Sequence, residues 1–172
     1  HPHPFQFRFG NTSATLLPTN LGVLNFLLLQ TLQSMKILII NGANLNLLGR
    51  RQPEIYGHES FEDYLGALRA RYSEHNIDYY QSNIEGELVD ALQCADGKYD
   101  GVVLNAGGYT HTSVVLRDAI AAISVPVVEV HISQILAREE FRHISLIAPV
   151  AVGTITGFGL KSYDLAIKYF VG

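Results

Sequence analysis

From residue 35 to the C-terminus, short apolar runs alternate with longer stretches in which apolar residues return every three or four positions. The first run, residues 36–40, is nearly continuous and stops at Asn41-Gly42, the pattern of a buried strand followed by a turn. Residues 77–81, 101–104, 125–130 and 144–148 predict four further strands. Residues 60–75 predict an amphipathic helix. Ser60 stands at its start as a cap, Glu62 and Asp63 complement the positive end of the helix dipole, and Phe61, Tyr64, Leu65, Leu68 and Tyr72 share one face. Residues 86–94, 113–123 and 160–169 predict three more helices, the first with Leu88, Val89 and Leu92 on one face. Apolar strands separated by helices imply a parallel sheet buried on both sides, because right-handed crossovers lay helices over each face.

Five strands within residues 35–172 fit an α/β three-layer sandwich with a five-stranded parallel sheet in the order 2-1-3-4-5, a flavodoxin-like arrangement. Hydrophobic residues make up 48% of the 172 and charged residues 16%, enough apolar material for one such core. The net charge of −4 argues against a nucleic-acid partner, which would call for clustered Lys and Arg. Cys94 is the single cysteine, so neither an intrachain disulfide nor a multi-cysteine zinc site can form, and a reducing, cytoplasmic setting fits. Residues 1–34 differ from the rest. Their one charged side chain is Arg8, and the apolar stretch 21–32 is interrupted by Asn25 and Gln30. It is shorter than the roughly 20 residues that span a bilayer, so no membrane anchoring is expected. We read 1–34 as a leader, non-native or poorly ordered, preceding the domain 35–172; a targeting extension is the alternative.

Open parallel sheets bind ligands beyond the carboxyl ends of their strands, where the strand order reverses. Here those ends are polar. The first runs into Asn41, Asn44, Arg50, Arg51 and Tyr56. The third runs into Asn105, Gly107, Gly108 and His111, and the fourth into Glu129, His131 and Ser133 with Arg138 and Arg142 beyond. Each has a plain structural reading: the asparagines as turn formers, His111 and Ser113 as helix caps, His131 with Glu129 as a satisfied buried pair. Turn requirements alone do not call for Tyr, His and Arg at three strand ends together. That set, without a cysteine or a metal triad, suits acid–base chemistry on an anion. No G-x-G-x-x-G follows the first strand, and the glycines at 153–159 lack P-loop spacing; they read as a tight turn and close packing before the last helix. An FMN or other phosphate-ligand binding protein is the competing class. A Schiff-base enzyme is disfavoured, because Lys36, Lys98, Lys161 and Lys168 all lie outside the polar strand ends.

Three segments carry a specific resemblance. NGANLNLLGRRQPEIYG at 41–57, NAGGYTHTSVVLRD at 105–118 and EVHISQILAREEFR at 129–142 resemble, in order and spacing, the signature motifs of type II 3-dehydroquinate dehydratases. Within the first motif, Ala43 stands where proline is common and Gln52 where an acid is common, both beside the expected lid. The resemblance implies a cofactor-free, metal-free, flavodoxin-like lyase that converts 3-dehydroquinate to 3-dehydroshikimate through an enolate. Its place would be the shikimate pathway or quinate catabolism, and its assembly a homododecamer of trimers. It implies Tyr56 as the base, Arg51 as the charge that lowers its pKa, and Asn44, through a water, as the enolate's donor. It further implies His131 as the acid for the departing hydroxyl and Glu129 as that ring's orienting partner. Asn105 and the backbone of Ile132 and Ser133 would hold the substrate carboxylate, His111 and Arg142 its ring hydroxyls. Asp118 would reach a neighbouring subunit's site, residues 50–56 would form a lid, and Arg138 would pair with an acid near the opening.

Overall fold

Side-chain alternation along each strand sorts the sheet into two apolar faces, and each face is covered by its own pair of helices. The computed structural model describes residues 33–49 and 60–172. The strands are β1 (Lys36–Asn41), β2 (Asn76–Gln81), β3 (Gly101–Asn105), β4 (Val127–His131) and β5 (Gly153–Thr156). They pair in parallel in the order β2-β1-β3-β4-β5, as the alternation of elements predicts. Helices α1 (Phe61–Arg71) and α4 (Lys161–Val171) cover one face. There Phe61, Leu65, Leu68, Tyr163 and Ile167 pack on Ile37, Ile39, Ile77, Val103 and Val128. Helices α2 (Glu85–Ala95) and α3 (Val114–Ala122) cover the other, with Leu88, Leu92, Leu116 and Ile120 against Leu38, Ile40, Val102, Leu104 and Val127. Each fully buried Leu or Ile contributes about 1.5–3 kcal/mol. The predicted caps are present: Ser60 Oγ accepts from the Asp63 N–H at 3.1 Å, and Ser113 Oγ from the Leu116 N–H at 2.9 Å.

The fifth strand is a correction. Residues 144–148, read as a strand from their apolar run, form an irregular segment leading into a short 3-10 turn, Ala148–Val150. The hydroxyl of Ser145 captures the N–H groups of Ile147 and Ala148, at 3.1 and 2.9 Å, and this local bonding competes with a sheet ladder. The strand beside β4 is instead Gly153–Thr156, whose β-branched Thr154, Ile155 and Thr156 pair with Glu129, Val130 and His131.

At the carboxyl edge the ends of β1 and β3 are pressed together. The Gly42 N–H donates to the Asn105 carbonyl at 2.7 Å, and a side chain at 42 would place its Cβ 2.4 Å from the Ala106 carbonyl oxygen. Asn41-Gly42 is therefore more than a turn signal: the glycine permits a backbone contact that brings two of the three polar strand ends into register.

Candidate active site

The three strand ends surround a cavity of about 300 Å³. β1 leads to Asn44, Leu45 and Leu48; β3 supplies Asn105, Gly107, Gly108 and, from the following turn, His111; β4 supplies His131, Ile132 and Ser133, with Arg138, Glu139 and Arg142 beyond. The described part of the site is thus drawn from separate segments of sequence by the strand order alone.

Glu129 lies at the base of this arrangement, fully buried. It and His131 are two residues apart on β4 and so face the same side of the sheet. The His131 Nε2–Glu129 Oε1 distance is 2.9 Å. Hydroxyls complete the shell: Thr110 Oγ1 and Ser145 Oγ donate to Oε1 at 2.5 and 2.8 Å, and Thr154 Oγ1 to Oε2 at 3.1 Å. Burial pushes the Glu129 carboxyl up, but hydrogen bonds from His131 and Thr110, the charge of His131 and the bond from Ser145 together hold it below its ordinary value. An ionised carboxylate only accepts, so Nε2 of His131 carries the proton toward Glu129, and Nδ1 is the edge left for chemistry.

His111 is oriented the opposite way. Its Nδ1 lies 2.7 Å from the Ile144 carbonyl, which only accepts, so Nδ1 is the donor and Nε2 the remaining edge. The two imidazoles stack at 6.4 Å between centroids and 17° between planes. His111 caps no helix; Ser113 alone does.

Asn105 is held by a buried chain. Its Nδ2 donates to Tyr163 Oη at 2.8 Å, Tyr163 Oη donates to Asn41 Oδ1 at 2.8 Å, and Asn105 Oδ1 accepts the Gly107 N–H at 3.2 Å. Burial pushes the Tyr163 phenol far up, so it acts as a neutral relay between two asparagines. One hydrogen of Asn105 Nδ2 remains for a ligand. Asn44 is the one described non-glycine residue with positive φ, 69°, and its N–H donates to Asn83 Oδ1 at 2.9 Å. Arg142 pairs with Glu139 at 2.9 Å; Arg138 approaches the same carboxylate at 3.5 Å and Ser133 Oγ at 3.4 Å, the acid partnership expected for it. Glu139's own backbone N–H, ahead of the two arginines, holds its carboxyl below the ordinary value.

The structure therefore brings together Asn44, Asn105, His111, Glu129, His131, Ile132, Ser133 and Arg142, and does not bring Asp118 to this cavity. Asp118 is exposed on α3, 3.4 Å from Arg117. Arg50, Arg51 and Tyr56 lie outside the described residues. Thr110, Ser145, Thr154 and Tyr163 were not singled out by the sequence. Hydroxyl residues and a tyrosine on an apolar helix face carry no signal until the fold shows what they touch.

Comparison with known proteins agrees with this geometry. The family model described as dehydroquinase class II matches residues 35–171. A 3-dehydroquinate dehydratase of Bacillus licheniformis is 54% identical over 78% of this chain and 94% of its own length. That of an Exiguobacterium species is 57% identical over 80% and 94%. The crystal structure of a type II dehydroquinase from Butyrivibrio crossotus superposes with a TM-score of 0.76 at 47% identity, covering 81% of this chain and 99% of that one.

Proposed function

The chain belongs to the class II dehydroquinase family, whose members are 3-dehydroquinate dehydratases, and on that premise we propose that it eliminates water from 3-dehydroquinate through an enolate. Tyr56 takes the proton at C2, and Arg51 stabilises the phenolate that this requires. A free tyrosine titrates near 10, so about 2–3 units of lowering, roughly 3–4 kcal/mol, must come from nearby positive charge. Asn44, through a water, donates to the enolate oxygen. His131 gives a proton to the C1 hydroxyl, which departs as water and leaves the conjugated enone, 3-dehydroshikimate. Asn105 and the backbone of Ile132 and Ser133 receive the carboxylate, and His111 and Arg142 the ring hydroxyls.

The observation that carries this reading is the buried Glu129–His131 pair opening onto the cavity. An accepting carboxylate fixes the ring with Nε2–H toward it, and in the imidazolium the Nδ1–H is then aimed outward as an acid. We further propose an assembly built from trimers, in which the exposed Asp118 reaches a neighbour's site, and a role in aromatic biosynthesis or quinate breakdown. The direct test is turnover of 3-dehydroquinate, followed by the ultraviolet absorbance of the enone. Tyr56→Phe keeps the ring and removes the ionisable oxygen; it should abolish most of kcat with KM little changed. Near-normal turnover in that variant would remove Tyr56 as the base.

A further inference from the structure

The segment 144–148 touches His111 and the carboxylate partner of His131 without lining the cavity. The Ile144 carbonyl accepts from His111 Nδ1 at 2.7 Å. One residue on, Ser145 Oγ donates to Glu129 Oε1 at 2.8 Å, the same oxygen that receives His131 Nε2. A serine hydroxyl has one proton and two lone pairs. The proton goes to Glu129, and the lone pairs take the Ile147 and Ala148 N–H groups at 3.1 and 2.9 Å. The bend is closed by the Leu146 N–H, which donates to the Thr110 carbonyl at 2.8 Å.

We propose that Ser145 is a positioning residue that sets which edge of each imidazole faces the substrate. It does so through two connected paths. Its proton adds a donor to Glu129, which keeps that carboxylate an acceptor and holds His131 with Nδ1 outward. Its lone pairs fix the curvature of the segment, which places the Ile144 carbonyl under His111 and leaves Nε2 outward. The outcome is a complementary pair of edges across parallel rings: protonated Nδ1 of His131 donates toward a leaving hydroxyl, and bare Nε2 of His111 accepts from a retained one. This inference rests on the reading of His131 as the acid.

The test uses the full-length protein carrying isotope-labelled histidine. Solid-state NMR distinguishes protonated from bare ring nitrogens, with signals assigned through His111→Gln and His131→Gln. The unaltered protein should show a proton on Nδ1 of His111 and, in the neutral ring, on Nε2 of His131. Ser145→Ala should mix the tautomers of both rings. It should lower kcat roughly tenfold or more, a part of the 10²–10⁴ that a positioned acid supplies. Ser145→Thr, which keeps a hydroxyl, should restore both readouts. If Ser145→Ala does not fold, Ser145→Cys, similar in size but a weak hydrogen-bonding group, gives the same comparison. Unmixed tautomers in either ring of the folded Ala or Cys variant would overturn the proposal. His131→Gln turning over at the unaltered rate would instead sink the reading of His131 as the acid, whatever the tautomers do at Ser145→Ala.

Discussion

Replacing Glu129 by glutamine isolates the charge at the base of the site from its shape. The carboxylate accepts three donors on Oε1, from Thr110, Ser145 and His131 at 2.5, 2.8 and 2.9 Å, and one on Oε2, from Thr154 at 3.1 Å. With the amide oxygen kept at the Oε1 position, the NH2 that replaces Oε2 donates and cannot accept, so the Thr154 hydroxyl loses its acceptor, a cost of about 1–3 kcal/mol. The remaining bonds lose their charge assistance, about 1 kcal/mol each, and this is partly offset because the variant no longer buries a charge. The net loss should be on the order of 2–4 kcal/mol, or roughly 5–15 °C in Tm for a domain of this size. The pH dependence is the sharper readout. The folded-state pKa of Glu129 lies below its ordinary value of 4.5. Its contribution is therefore fully present above that ordinary value and is lost as pH falls through the lower folded-state value. Denaturant titrations of both proteins should give a stability gap that is full at pH 7 and narrows in the acid range. Groups remote from residue 129 cancel in the difference. A gap that stays constant into the acid range would mean Glu129 is not ionised when folded. The tautomer argument for His131 would then fail, because a protonated carboxyl could donate to Nε2 and reverse the ring.

Two further substitutions test the scaffold around the site. Gly42→Ala drives a methyl group to 2.4 Å from the Ala106 carbonyl, a backbone atom that cannot swing aside, so chemical denaturation should register a loss of about 1–3 kcal/mol; an unchanged midpoint would show that the two strand ends can part freely. Tyr163→Phe leaves Asn41 and Asn105 without their shared partner and should cost about 1–3 kcal/mol while raising KM for 3-dehydroquinate more than it lowers kcat; an unaltered KM would detach Asn105 from carboxylate binding.

Much of this is legible in the sequence, and what is not has identifiable causes. The first four strands and the helices follow from apolar periodicity, because that period decides which side chains can be buried. Glu129 and His131 were legible as a pair because a strand repeats every two residues. The fifth strand was misplaced because residues 144–148 are as apolar as a strand, and nothing in composition reveals that the Ser145 hydroxyl spends its bonds on the next turn. Conversely, Gly153–Thr156 begins with a glycine and carries an exposed Thr154 and a half-buried Thr156, which an edge strand tolerates and an apolar-run reading overlooks. Tyr163 was hidden for a related reason. Its ring is core, and only the tip of the side chain, at the meeting of β1, β3 and α4, does polar work.

The fold itself would equally support a phosphate-binding protein, so the distinction has to come from the backbone at the end of β1. A phosphate nest needs consecutive N–H groups aimed at open space. Here the Gly42 N–H is given to the Asn105 carbonyl at 2.7 Å, the Asn44 N–H to Asn83 Oδ1 at 2.9 Å, and the Leu45 N–H to the Gly42 carbonyl at 3.3 Å. Donors that would cradle a phosphate are already engaged in joining β1 to β3 and to the end of β2. The chemistry has moved to side chains on the neighbouring strand ends, two imidazoles with opposite edges presented and a carboxylate beneath one of them. A flavin or nucleotide phosphate would find these three donors engaged, whereas under the proposed function a small hydroxylated acid would meet separate groups for proton transfer and for hydroxyl recognition. The same close approach at Gly42 that engages one of these donors brings Asn105 and His111 alongside Asn44, so under the proposed function a single backbone contact works against a phosphate and for a hydroxylated acid.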